Sequence, residues 1–148
     1  MTSIGPEIPA GFRPLSVGGE FMALTGPLYL RHEGDVVQLA FRVEPRHCNP
    51  MRICHGGMLA SFCDMLMPVT VHRKSSEVGR RFLPTVSLQL DYLAPAALDT
   101  WVVGEGQVLR VARSMVFVQG LVSADGVPVV RCSGVFKIGP PFGDDAPR

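Results

Sequence analysis

The stretch Arg46-His47-Cys48-Asn49-Pro50-Met51-Arg52-Ile53-Cys54-His55-Gly56-Gly57-Met58-Leu59-Ala60-Ser61-Phe62-Cys63-Asp64 decides the fold. It reads as a polar loop, a pair of glycines and then a helix that continues to about residue 73. Between Gly56 and Val71 the one acidic or basic residue is Asp64, set among Leu59, Phe62, Met65, Leu66 and Val69. A helix apolar on every face belongs in the middle of a core, and a single helix of that kind needs a sheet wrapped about it. Pro68 lacks the amide that would have bonded the Asp64 carbonyl, which predicts a kink one turn beyond the acid.

On either side of the helix the period changes to two. Residues 28–32 and 36–43 are strand candidates joined by the turn composition Glu33-Gly34-Asp35. After the helix, residues 84–93, 100–112, 114–124 and 127–138 are long, Val-rich and alternating, with Asp125-Gly126 as a two-residue hairpin turn. The order is therefore two strands, one buried helix and four strands in consecutive antiparallel connections: an α+β domain over residues 26–139. Residues 1–25, rich in Pro and Gly, read as an N-terminal tail and a short packing segment, and residues 140–148 as a polar tail.

At 148 residues the chain fits one domain with a real core. Hydrophobic residues make up 47% and charged residues 18%, which predicts that partner subunits cover some surface. A net charge of +1 without a basic run argues against a nucleic-acid partner. No apolar run is long enough to span a membrane and no leader opens the chain, so a soluble, cytoplasmic protein with no membrane partner is expected. Cys48, Cys54, Cys63 and Cys132 are distributed like reduced core thiols rather than a disulfide frame.

Two features carry chemistry. Gly56-Gly57 at a helix start exposes amides that no intrahelical carbonyl takes, at the positive end of the helix dipole, which suits a polarised carbonyl or a developing oxyanion. Asp64 is either a structural acid bonded to a distant amide or a general base or nucleophile in a dry site. Asn49, made extended by Pro50, either forms a turn or orients a water or a carbonyl. His55 either caps the helix or acts as a base, and the capping role is preferred. His47, Cys48, Cys54 and His55 match no common zinc spacing, and no metal is expected. Asp64 lies eight residues beyond Gly56, roughly 12 Å along the axis at about 1.5 Å per residue. An Asp side chain cannot span that, so if both act on one carbonyl they come from two chains, as a two-fold axis would arrange.

Asn49-Pro50, His55-Gly56-Gly57 and Asp64, nine residues after the histidine, resemble the hotdog-fold acyl-CoA thioesterases of the phenylacetate-pathway, PaaI-like type. Thr85-Val86-Ser87-Leu88-Gln89-Leu90-Asp91-Tyr92-Leu93-Ala94-Pro95 resembles the family's strand after the helix. The resemblance implies a long central helix wrapped by a curved antiparallel sheet of about five to six strands, dimers or tetramers, and acyl-CoA hydrolysis at a subunit interface with no cofactor beyond the coenzyme A of the substrate. By position Asp64 matches the catalytic carboxylate, Asn49 a residue placing water or thioester, and Gly56 the backbone donor. His55 matches the histidine beside that donor and Thr85 a hydroxyl near the acid. Gly57, Arg113 and Ser114 fall where substrate is met, with Arg110 or Lys137 as helpers toward the nucleotide. The family usually has glycine where this chain has Arg52.

The function so implied is acyl-CoA thioester hydrolysis. The competing readings are a hotdog protein that binds acyl-CoA or serves assembly without turnover, and a hydratase using Asp64 with His72. Met58, Phe62, Met65 and Met67 are candidates for an adaptable acyl pocket.

Overall fold

The computed structural model describes residues 6–143. The first five residues of the expected N-terminal tail and the last five of the C-terminal one lie outside the described residues. In chain order the elements are β1 (Arg13–Leu15), α1 (Gly19–Thr25), β2 (Leu28–Glu33), β3 (Val36–Arg42), α2 (Gly56–Lys74), β4 (Thr85–Tyr92), β5 (Trp101–Val111), β6 (Met115–Ala124) and β7 (Val127–Lys137). A short 3-10 turn, Pro45–His47, precedes the loop to α2.

The strands form one antiparallel sheet in the order β1-β2-β3-β5-β6-β7-β4. That is seven strands rather than five to six, and the extra one is β1, too short to show a period. Nor do the last four strands follow one another across the sheet. β5, β6 and β7 are consecutive hairpins, the last turned by Asp125 and Gly126 at φ 45° and 85°, both in the left-handed region that a tight hairpin requires. β4 instead crosses over to pair with β7, with Thr85 opposite Phe136 and Tyr92 opposite Val130, and leaves β5 to pair with β3. Its burial pattern is mostly exposed, and its outer edge has no neighbour in the sheet.

The 19-residue α2 lies against β3, β4, β5, β6 and β7 and runs through Pro68 as one helix. Phe62, Cys63, Leu66, Met67 and Val71 are fully buried against Phe41, Val102, Val122 and Phe136. The sheet comes this close because β5 has glycines where it meets the helix. A Cβ on Gly104 would stand 2.6 Å from Leu66 Cδ2, and one on Gly106 would collide with Thr70 Oγ1. Thr70 is itself fully buried and donates its hydroxyl to the Leu66 carbonyl at 2.7 Å.

One side of α2 stays uncovered, contrary to a helix sealed on every face. Gly57 is exposed, and Ala60, Ser61, Asp64, Met65, Pro68 and His72 are half-buried, spaced at three and four residues as a single stripe. The sequence is apolar all round, but the curl of the sheet stops short of closing.

Candidate functional site

The site grows from the loop of residues 48–55. Cys48 pairs with Cys54 across a short antiparallel bridge, flanked by bonds from Asn49 N to Ile53 O (3.0 Å) and from His55 N to His47 O (2.8 Å). Asn49 Oδ1 accepts from Met51 N at 3.0 Å and from Ile53 N at 3.4 Å, so the side-chain oxygen holds the loop. The Asn49 amide group, with no partner among the described residues, is what the site retains of that side chain. Arg52 closes the turn at φ 59°, a backbone region costing an L-residue about 1 kcal/mol or more. This is the position at which glycine is expected from the family pattern. Arg52→Gly is accordingly expected to raise the unfolding free energy by about 0.5 to 1 kcal/mol, strain relief partly offset by glycine's entropy. A urea midpoint that stays put or falls would mean that the arginine side chain itself holds the loop.

His55 is the N-cap of α2, and its Nδ1 accepts from Gly57 N at 2.8 Å. The structural reading of His55 therefore holds, and it changes the role open to Gly57, whose amide is taken. Gly56 N–H, the first amide of the helix, has no hydrogen-bond partner among the described residues. The same residue's carbonyl accepts from Tyr92 Oη at 2.7 Å. This latch joins the end of the edge strand to the helix start, a contact between positions 36 residues apart that spacing does not reveal.

Asp64 lies two turns along α2 on the uncovered stripe, half-buried, and Thr85 at the start of β4 donates its hydroxyl to Asp64 Oδ1 at 2.7 Å. The acid is therefore open to one side and oriented on the other, rather than enclosed by apolar groups. Asp64 and Thr85 come together; Asn49, His55 and Gly56 form a second group at the helix start. The β5–β6 turn carries Arg113 and Ser114, both exposed. It sits at the Thr85 end, since Ser114 O accepts from Ile138 N at 2.8 Å and Lys137 N donates to Pro84 O at 2.9 Å. Arg110 and Lys137 are exposed at the same end.

Other candidates have structural partners. His47, buried, accepts from Glu44 N through Nδ1 at 3.0 Å, and its Nε2 meets Thr25 O at 2.5 Å. His72 Nε2 is 2.8 Å from Arg81 O, which gives it a backbone partner away from the acid that a hydratase reading would pair it with. Burial pushes the Cys54 thiol up to about 12, with Cys48 nearby adding to the effect. Of the four methionine and phenylalanine candidates, Phe62 and Met67 are fully buried core, whereas Met65 is half-buried on the open stripe and Met58 borders a cleft. Among the described residues no helix is long and apolar enough to cross a membrane.

Comparison with known proteins gives the frame for this geometry. A protein of Pseudomonas aeruginosa provisionally named an esterase is 26% identical over 133 residues, covering 89% of this chain and 98% of its own. Among solved structures, a mutant of the phenylacetic acid degradation protein PaaI from Thermus thermophilus superposes with TM-score 0.67 at 19% identity, covering 79% of this chain and 96% of its own. A hypothetical thioesterase protein from Streptococcus pneumoniae, solved with coenzyme A, superposes with TM-score 0.68 at 15% identity, covering 85% and 100%. These structures share the hotdog arrangement of one helix in a curved sheet. The Thioesterase superfamily model matches residues 51–130, just over half of the chain, a span that contains the helix start, the acid, the edge strand and the β5–β6 turn. The chain belongs to the Thioesterase superfamily.

Proposed function

We propose that this protein hydrolyses acyl-CoA thioesters at a site shared by two copies of the chain. The observation that carries the reading is the pairing of an unpartnered helix-start amide, Gly56 N–H, with a half-open carboxylate two turns further along the same helix. They are too far apart to meet within one chain: Asp64 lies on the uncovered stripe of α2, and Gly56 sits half-buried at the helix start, next to the exposed Gly57 that begins that stripe. A second copy related by a two-fold axis, its helix antiparallel, brings one chain's Gly56 to the other's Asp64 and completes two equivalent sites. The unpaired edge of β4 and the half-buried stripe of α2 are surfaces that such a partner would cover.

In this arrangement the Gly56 amide and the helix dipole polarise the thioester carbonyl and stabilise the oxyanion that forms on it. Asp64, held by the Thr85 hydroxyl, either takes a proton from a water that attacks the carbonyl, or attacks it itself to give a mixed anhydride that water then hydrolyses back to free Asp64; in both routes the C–S bond breaks, the thiol of coenzyme A leaves with a proton and a carboxylic acid is formed. After one turnover in isotopically labelled water, label in the Asp64 side chain marks the nucleophilic route. Arg113 and Ser114, with Arg110 and Lys137, offer donors to the phosphates of the nucleotide. The coenzyme A bound to the Streptococcus pneumoniae structure supports this choice of thiol.

The test is release of free thiol from a panel of acyl-CoA substrates by the purified protein. Turnover above the uncatalysed rate for at least one acyl group is expected, with a metal chelator having no effect. Tight acyl-CoA binding without thiol release would overturn the catalytic reading in favour of a binding protein.

A further inference from the structure

A cleft of about 270 Å³ lies between α1 and the first two turns of α2. Phe21 and Leu24 of α1 form one wall and Met58 with Gly57 and Ser61 the other. The two α1 side chains are 59% and 75% exposed, although the helix buries Met22 beneath them. Exposed apolar side chains bordering a concave surface mark a place where another apolar group sits.

The wall is held in place by the loop of the proposed site. The last carbonyls of a helix have no intrahelical amide to take them. Here Arg46 donates to Leu24 O at 2.8 Å and to Gly26 O, and the His47 ring meets Thr25 O at 2.5 Å. Arg46 also donates to Glu44 at 2.8 Å, so its guanidinium is engaged on three sides. The same loop runs on into His55 and Gly56, so α1 is tied to the residues that set the position of the free amide.

We propose that α1 is the acyl-recognition wall, and that this cleft takes the uncharged acyl group of a substrate whose thioester oxygen lies on Gly56 N–H. This rests on the thioesterase reading for the position of the carbonyl. The cleft is lined by Gly57, the residue after the amide donor, so an acyl chain attached to that carbonyl enters it directly. The cleft is open along one side, and its 270 Å³ is several times the roughly 30 Å³ share of liquid volume of one water, so it admits an acyl group of many carbons. Arylacetyl and medium-chain acyl groups are large and apolar enough to reach both walls; acetyl leaves most of the cleft empty. A dicarboxylic acyl group meets one cation at this cleft, Arg46, whose charge is already offset by Glu44 and which is turned to the Leu24 and Gly26 carbonyls.

The experiment compares kcat/KM of the full-length protein for octanoyl-, phenylacetyl-, acetyl- and succinyl-CoA, in the wild type and in the Phe21→Ala/Leu24→Ala variant. The wild type is expected to favour octanoyl or phenylacetyl over acetyl and succinyl by at least tenfold, and whichever of the two leads identifies the shape of the acyl group. In the double variant the ratio of the favoured substrate to acetyl-CoA should fall about tenfold, mainly through KM, with an unchanged melting transition. Ser61→Leu, filling the cleft from its α2 wall, should lower the same ratio, whereas Leu109→Ala, which does not line the cleft, should leave it alone. A wild-type preference for acetyl or succinyl, or a ratio within twofold of wild type in both cleft variants, overturns the proposal. Should no thioester be turned over, the catalytic reading fails and the cleft is read by calorimetric binding instead. Octanoyl-CoA must then bind at least tenfold tighter than coenzyme A alone and lose that advantage in the double variant; equal affinities overturn the inference.

Discussion

Asp64→Asn is expected to lower thioester turnover on the order of 10³-fold, the usual contribution of a positioned base or nucleophile. The fold should survive, because asparagine is nearly isosteric and its Oδ1 still accepts the Thr85 hydroxyl now 2.7 Å from Asp64. Turnover within a factor of three of wild type, in a variant that melts normally, would remove Asp64 from the chemistry. The matching change at the other end is Gly56→Pro. Proline is well tolerated at the first helical position, and His55 already has the extended ψ of 136° that a residue before proline prefers. The substitution therefore deletes the unpartnered amide while straining little else, apart from a few tenths of an ångström between the new Cβ and Tyr92 Oη. If the two groups come from different chains, mixing and reassembling the two inactive variants regenerates one intact site in each mixed dimer, restoring about a quarter of wild-type activity. No recovery on mixing, after exchange of subunits is verified, would place both groups in one chain.

The second large effect concerns the sheet rather than the reaction. Gly106→Val is expected to destabilise the protein by about 3 kcal/mol, at the upper end of overpacking costs, because the added atoms enter the space of the buried Thr70 side chain. Thr70→Ala in the same chain should recover part of the loss, a non-additivity expected of touching residues. Denaturant melts of the single and double variants measure both. A Gly106→Val chain as stable as wild type would show that α2 can lift from β5 at little cost.

The alternation of β5, β6 and β7 and the Asp125-Gly126 turn place those strands to within a residue or two, because both signals are local. The partner of β4 is not legible in the same way. Alternation tells which face a side chain takes but not which strand lies alongside, so the crossover to β7 is invisible in the Thr85–Tyr92 segment. Asp64 misleads for a related reason. Its neighbours are apolar in every direction, and only the extent of the sheet's curl shows that one stripe of α2 stays open. His55 and Asn49 were readable as cap and turn because each bonds within four residues. The Thr85 hydroxyl at Asp64 and the Tyr92 latch to Gly56 link positions 21 and 36 residues apart. The first was suggested only by the family pattern, and the second by nothing in the sequence.

The attachment of α1 carries a consequence for how this protein changes over time. The helix is anchored by its terminal carbonyls to Arg46 and His47 and by one buried residue, Met22, and it precedes the residues that the family model matches. Backbone atoms do most of the holding, so the outward side chains of α1 are free to vary without loosening it. With α1 as the proposed acyl wall, substrate taste and chemical machinery would be separable along the chain, and a lineage could drift in the first while keeping the second intact.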